Sequence, residues 1–134
     1  MHYLLDTNIC IYIVNDRPAA VRARFASATA GDVGMSTITS GELIWGAQMS
    51  SKPKENLQRL RAFGRLVPAL DLPAEAAEHY GEIRALLQRK GAPIGPNDLW
   101  IAAHARAAGL VLVSNNEREF KRVPGLNVEN WARD

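Results

Sequence analysis

Cysteine occurs once in the 134 residues, at Cys10, so no disulfide can close within the chain. In its apolar surroundings a buried, unreactive thiol is expected rather than a nucleophile. No apolar stretch approaches the roughly 18 residues of a membrane span. The opening run Tyr3-Leu4-Leu5 is also too short for a secretory signal and lacks a basic lead. A cytoplasmic protein without a membrane segment is therefore expected. Histidine is sparse, and His2, His79 and His104 show no metal-ligand spacing; His104 reads as a hydrogen-bonded core residue. There is no internal repeat, low-complexity tract or composition break, which points to a single domain over residues 1–134. Nor is there a strong excess of charge. Sixteen basic against 14 acidic residues give a net +2, which by itself predicts little about partners.

What is present is an ordinary globular balance, 47% hydrophobic and 22% charged, long enough for a proper core. Tyr3-Leu4-Leu5 reads as a buried strand that stops on Asp6, with Asp6 or Thr7 opening a helix through Val14. Asn15-Asp16-Arg17-Pro18 is a turn, and Ala19 to about Thr29 a second helix, closed by Ala30-Gly31-Asp32. Val33-Gly34-Met35-Ser36 is a second strand. A third helix follows from Thr37-Ile38-Thr39-Ser40 to about Ser50, and a fourth runs from Lys54 to Phe63. Leu66 to Leu70 reads as a third strand, confined to an edge by Pro68. Pro73 to Lys90 keeps helical period. Asn97 to Ala108 is apolar nearly all round, hence a central helix, with Gly109 as its C-cap. Leu110 to Val113 is a buried strand, and a last strand is expected around Leu126-Asn127-Val128. Strands alternating with helices predict an α/β fold with a parallel sheet covered on both faces.

Four regions carry acids at equivalent places. Asp6 ends the first strand, and in open α/β sheets ligands bind outside the carboxyl ends of the strands. Glu42 closes Thr39-Ser40-Gly41-Glu42, a capping-box pattern that would set it in the first turn of the third helix. Asp98 follows Gly95-Pro96-Asn97 and falls in the first turn of the central helix, where the macrodipole favours an acid. Ser114-Asn115-Asn116-Glu117-Arg118-Glu119 follows the last buried strand. Each has a local explanation in capping or turn chemistry. Together they map to one sheet edge, where converging carboxylates would raise one another's pKa values until a cation neutralised them. An all-oxygen set selects Mg²⁺ or Mn²⁺ over zinc. With Asp6, Glu42, Asp98 and Glu119 in such a cleft, ten acids would face sixteen bases over the remaining surface, a balance suited to a polyanion.

The chain resembles the PIN-domain ribonucleases, and within them the VapC-type toxins of bacterial toxin–antitoxin pairs, over essentially its whole length. The resemblance rests on four motifs in order. They are Leu5-Asp6-Thr7-Asn8; Ser40-Gly41-Glu42-Leu43 with Gly46-Ala47; Gly95-Pro96-Asn97-Asp98 with Ile101-Ala102; and Ser114-Asn115-Asn116 running to Arg118-Glu119-Phe120. The tail from Val123-Pro124-Gly125 to Trp131 is also similar. It implies a three-layer α/β/α sandwich on a central parallel sheet, divalent-metal-dependent RNA cleavage, and inhibition by a VapB-type antitoxin. By position, Asp6 and Asp98 resemble the principal metal ligands and Glu42 the third acid. The fourth position, often aspartate in the family, falls here between Asn116 and Glu119. Asn8 and Ser114 are candidate donors holding the carboxylates. Arg17, Arg22, Lys52, Lys54, Arg118 and Lys121 are candidate phosphate contacts. The family implies structured RNA, tRNA first, as substrate. Trp45, Met49 and Trp100 are read as a homodimer face, an antitoxin groove or core packing.

Two other readings are carried alongside. A receiver-like Mg²⁺-binding signalling domain would use an aspartate after strand three, which Asp71 could supply, but it needs paired acids after strand one, where Thr7 follows Asp6. A PIN module without catalysis would only bind partners.

Overall fold

A computed structural model describes residues 1–29 and 31–133, so Ala30, in the turn expected after the second helix, lies outside the described residues. Five strands, β1 (Tyr3–Leu5), β2 (Val33–Ser36), β3 (Ala69–Leu70), β4 (Val111–Val113) and β5 (Val128–Glu129), form one sheet in the order β3-β2-β1-β4-β5. Every pairing is parallel. Helices α1 (Thr7–Val14) and α2 (Ala19–Ser27) connect β1 to β2; α3 (Thr37–Gln48) and α4 (Pro53–Leu66) connect β2 to β3. Helices α5 (Ala76–Arg89) and α6 (Pro96–Ala108) cross to β4, and the single turn α7 (Glu117–Phe120) precedes β5.

The period of two along the strands explains the layers. Leu4 and Leu112 belong to one core cluster with Ile83, Leu87 and Ile101 from α5 and α6. Their neighbours Leu5 and Val113 belong to another with Ile9, Val21, Leu43 and Phe63 from α1 to α4. Successive side chains thus feed opposite faces, and helices cover both. Buried Leu99, Ile101, Ala102, Ala103 and Ala105 make α6 the central helix. Gly109 closes it at φ +68°, a left-handed conformation that glycine takes without Cβ strain. Cys10 is fully buried, and burial drives its thiol well above the ordinary range.

The third strand is shorter than its sequence suggests. Leu66 and Val67 extend α4 and its C-cap, and β3 begins only after Pro68, at the sheet edge. Proline has no N–H to donate, but its carbonyl accepts from Met35 N at 3.0 Å, so the break falls at Pro68 without losing the ladder.

Connections lead outward from β1 through β2 to β3, then return across it to β4. The reversal lies between β1 and β4, paired in register Leu5↔Val113. Their carboxyl ends release Asp6 and Ser114 side by side, at the topological switch point where such sheets open a crevice.

Candidate active site

Asp6 caps α1, its Oδ1 accepting from Ile9 N at 2.9 Å. It is 4% exposed, and burial pushes its carboxyl up to about 6. Hydrogen bonds from the Ser114 hydroxyl and Ile9 N–H pull the other way, while the charges of Asp98 and Glu42 add to the rise. The Ser114 oxygen also accepts from Asn116 N at 2.9 Å, tying the loop after β4 to the acid that ends β1. Asn115 Nδ2 donates to the Tyr12 hydroxyl at 2.7 Å and fastens that loop to α1.

Asp98, in the first turn of α6, is half-buried. Burial raises its pKa, and Glu119 and Glu42 raise it further. Asp6, Glu42, Asp98 and Glu119 therefore act on one another through space. Among the described residues, none of the four is in an ion pair.

Glu42 departs from its expected setting. Ser36, not Thr39, caps α3, its Oγ accepting from Ile38 N at 3.2 Å. The helix starts a turn earlier than the capping-box pattern suggests, because β2 ends directly on a serine that can cap. Glu42 consequently sits in the second turn and does not close a capping box. What holds it is Thr7, whose hydroxyl donates to Glu42 Oε1 at 2.7 Å, with the Thr39 hydroxyl 3.3 Å from Thr7 Oγ1. Sequence reasoning missed Thr7 and chose Asn8, which is exposed and whose side chain makes no hydrogen bond among the described residues. The available signal was the hydroxyl directly after Asp6, at the first position of α1.

The two candidates for the fourth position touch each other: Asn116 Nδ2 donates to Glu119 Oε2 at 2.8 Å. Of the candidate phosphate contacts, Arg22 pairs with Asp16, Lys52 with Glu55 and Lys121 with Glu117. Arg17, Lys54 and Arg118 are exposed and unpaired among the described residues. Trp45 and Met49 are exposed, whereas Trp100 is half-buried and stacks on Tyr80, ring centroids 3.9 Å apart. His104 is buried, with Nδ1 2.9 Å from Ser36 Oγ.

Among the described residues, no three His, Cys, Asp or Glu side chains are gathered so as to hold a metal ion by themselves. The acids act on one another electrostatically without closing into a protein-only cage. That suits Mg²⁺, which dehydrates reluctantly and uses one or two carboxylates beside several waters. The donors are all oxygen and lack a protein cation, which fits a hydrated hard ion and no softer one.

The PIN domain family model matches residues 3–126. The chain belongs to the PIN-domain family. Within it, it groups with the VapC proteins. It is 47% identical over 132 residues to the tRNA(fMet)-specific endonuclease VapC of Shigella flexneri, covering 98% of this chain and 99% of that one. Among solved structures, VapBC from Salmonella typhimurium bound to DNA aligns with a TM-score of 0.91 at 44% identity, over 98% of each chain. VapBC2 of Rickettsia felis, bound to a DNA fragment from its promoter, aligns at 0.90 and 39%, over 98% of this chain and 99% of that one. As a PIN-domain chain with VapC ribonucleases as its relatives, the protein is not a receiver domain. Asp71 is exposed, just past the edge strand β3.

Proposed function

We propose that this chain is the toxin of a VapBC-type pair, a Mg²⁺- or Mn²⁺-dependent endoribonuclease that hydrolyses a phosphodiester bond in tRNA. The observation that carries the reading is the set of four acids, uncompensated by any basic side chain among the described residues, at the switch point of a PIN fold. The relative named for tRNA(fMet) makes initiator tRNA the first substrate to try.

Asp6 and Asp98 would hold the ion, with Glu42 beside them. When bound, the ion supplies positive charge against the phosphate and lowers the pKa of water. The residues do the rest. Asp6, fixed by Ile9 N–H and Ser114, keeps its carboxylate in one orientation. Thr7 occupies one oxygen of Glu42, leaving the other to orient the attacking water in line with the departing sugar oxygen. Asn116 holds Glu119, which adds negative charge near Asp98 without an ion pair. Exposed Arg17, Lys54 and Arg118 are the phosphate contacts least committed to acids of the chain itself.

A depression of about 270 Å³ between α1, α3 and α4 is lined by Ile11, Val14, Leu43, Ala47 and Leu60 and reaches Glu42. An amphipathic antitoxin helix seated there would cover the acids and could offer them a cationic side chain. Among the described residues no helix is long and apolar enough to cross a membrane; the proposed setting is the cytoplasm, with the toxin as a homodimer.

The test is incubation with total tRNA, with and without Mg²⁺ or Mn²⁺, beside Asp6→Asn and Asp98→Asn. Cutting should vanish in chelator and fall at least about 100-fold in both variants, beyond the 10–100-fold typical of an outer-shell loss. Cutting unaffected by both substitutions would assign it to another site or a contaminant. A fold-competent wild type that never cuts would leave only a binding module.

A further inference from the structure

Glu42 stands between two depressions. One is the groove proposed for the antitoxin. The other, about 480 Å³, opens toward the start of α6 and is lined by Thr37, Ile38, Gly41, Glu42, Trp45 and Asn97. Its volume lies within the usual range of ligand pockets. We propose that this second depression is a nucleobase subsite, in which a base flanking the scissile phosphate stacks on Trp45 and is read along its edge by Asn97. The proposal rests on the nuclease reading and adds to it the place where the substrate is selected.

Trp45 is 67% exposed, whereas Trp131 is 1% exposed and Trp100 is covered by Tyr80. It follows Glu42 by three residues on α3, so the two side chains share a helix face one turn apart. A phosphodiester seated at the acids must lay its neighbouring nucleotides on the adjoining surface, and Glu42 is a wall common to the acid cluster and this depression. Proteins that recognise RNA by sequence typically take unstacked bases onto aromatic faces and hydrogen-bond their edges.

Two further residues fit that occupant. A Cβ built on Gly41 would meet no atom within 4 Å, so the helix surface there is bare and admits a flat ring. Asn97 is exposed in the first turn of α6, directly before Asp98, and its amide can both donate and accept. Adjacent residues would thus face the base and the phosphate of one nucleotide step.

The experiment measures tRNA binding in chelator by intrinsic fluorescence, and tRNA cutting with Mg²⁺, for wild type, Trp45→Phe, Trp45→Leu, Trp45→Ala, Asn97→Ala and Asp6→Asn. Stacking predicts that tRNA quenches a tryptophan signal in wild type and Asp6→Asn but not in Trp45→Phe. Affinity should fall about tenfold or more in Trp45→Ala and Trp45→Leu and be largely kept in Trp45→Phe. Asn97→Ala should cut transcripts altered at the flanking base with less discrimination than wild type. Unchanged affinity in folded Trp45→Ala overturns the subsite. So does equal performance of Trp45→Leu and Trp45→Phe, or a loss of self-association with tRNA affinity intact, which would make this a protein-contact face. Failure of the nuclease reading shows separately, as cutting that persists in Asp6→Asn.

Discussion

At the first turn of α6 Asp98 is half-buried beside other acids; in the last turn of the same helix Arg106 has all three nitrogens engaged. Arg106 Nε donates to His79 Nδ1 at 2.8 Å, Nη1 to the Pro124 carbonyl at 2.9 Å and Nη2 to Glu82 Oε1 at 3.0 Å. Both charges suit the helix dipole, the acid at the amino end and the base at the carboxyl end. The dipole therefore cannot explain why one is surrounded by like charge and the other by partners. Arg106 joins α5, α6 and the chain leading to β5, and its role is complete within the protein. Asp98 and the acids beside it have no basic partner among the described residues. One end of the helix is closed by its own partners; at the other, burial and like charge work against the ionised acid.

The largest expected effect lies at Asp6, the most buried acid of the incomplete end. Its folded pKa, about 6, is above the ordinary 3.8 of an aspartate. The native state therefore binds more protons than the unfolded state between those values, and stability falls as pH rises through that window. Two pKa units correspond to about 3 kcal/mol at most. Urea unfolding in chelator should show Asp6→Asn more stable than wild type at pH 7.5, with the difference shrinking toward pH 4. Mg²⁺ should stabilise wild type and leave the variant nearly unmoved. A variant less stable than wild type at pH 7.5 would remove the claimed tension.

Next is the complete end. Arg106→Met keeps much of the alkyl packing but leaves the Pro124 carbonyl and His79 without their donor. A loss of about 2 kcal/mol in unfolding free energy is expected, with tRNA cutting at a temperature well below the transition unchanged. A drop in cutting without a drop in stability would contradict the division of roles. The smallest stability effect belongs to Thr7→Val, which removes the donor to Glu42 in a near-isosteric way. About 1 kcal/mol or less should be lost, while kcat falls some tenfold with KM little changed. A rise in KM alone would mean that Thr7 contacts substrate rather than orienting Glu42.

Much of this architecture was legible in the chain. The runs Tyr3–Leu5 and Val33–Ser36 are strands in place, and Pro96 and Gly109 bracket α6, because apolar period and helix-end chemistry are local properties. The parallel sheet and the placement of acids after strands followed from the alternation of elements. The failures are also physical. Ser36 and Thr39 have near-equal capping ability, and only the end of β2 decides between them. Leu66 and Val67 look like strand but continue a helix whose preceding turns were already formed. Helix α7 has four residues, too few for a period to show. The Thr7–Glu42 bond joins residues 35 positions apart; no local pattern marks it, and only the packing of α1 beside α3 creates it.

The outer strands β3 and β5 hold two residues each, and Pro68 stands at the entrance to the first. A neighbouring chain therefore finds almost no open ladder on which to lay a strand. Association with any other protein must be negotiated through helix surfaces, by side-chain shape and charge. Single substitutions on those surfaces can then exchange one companion for another while the sheet underneath stays as it is.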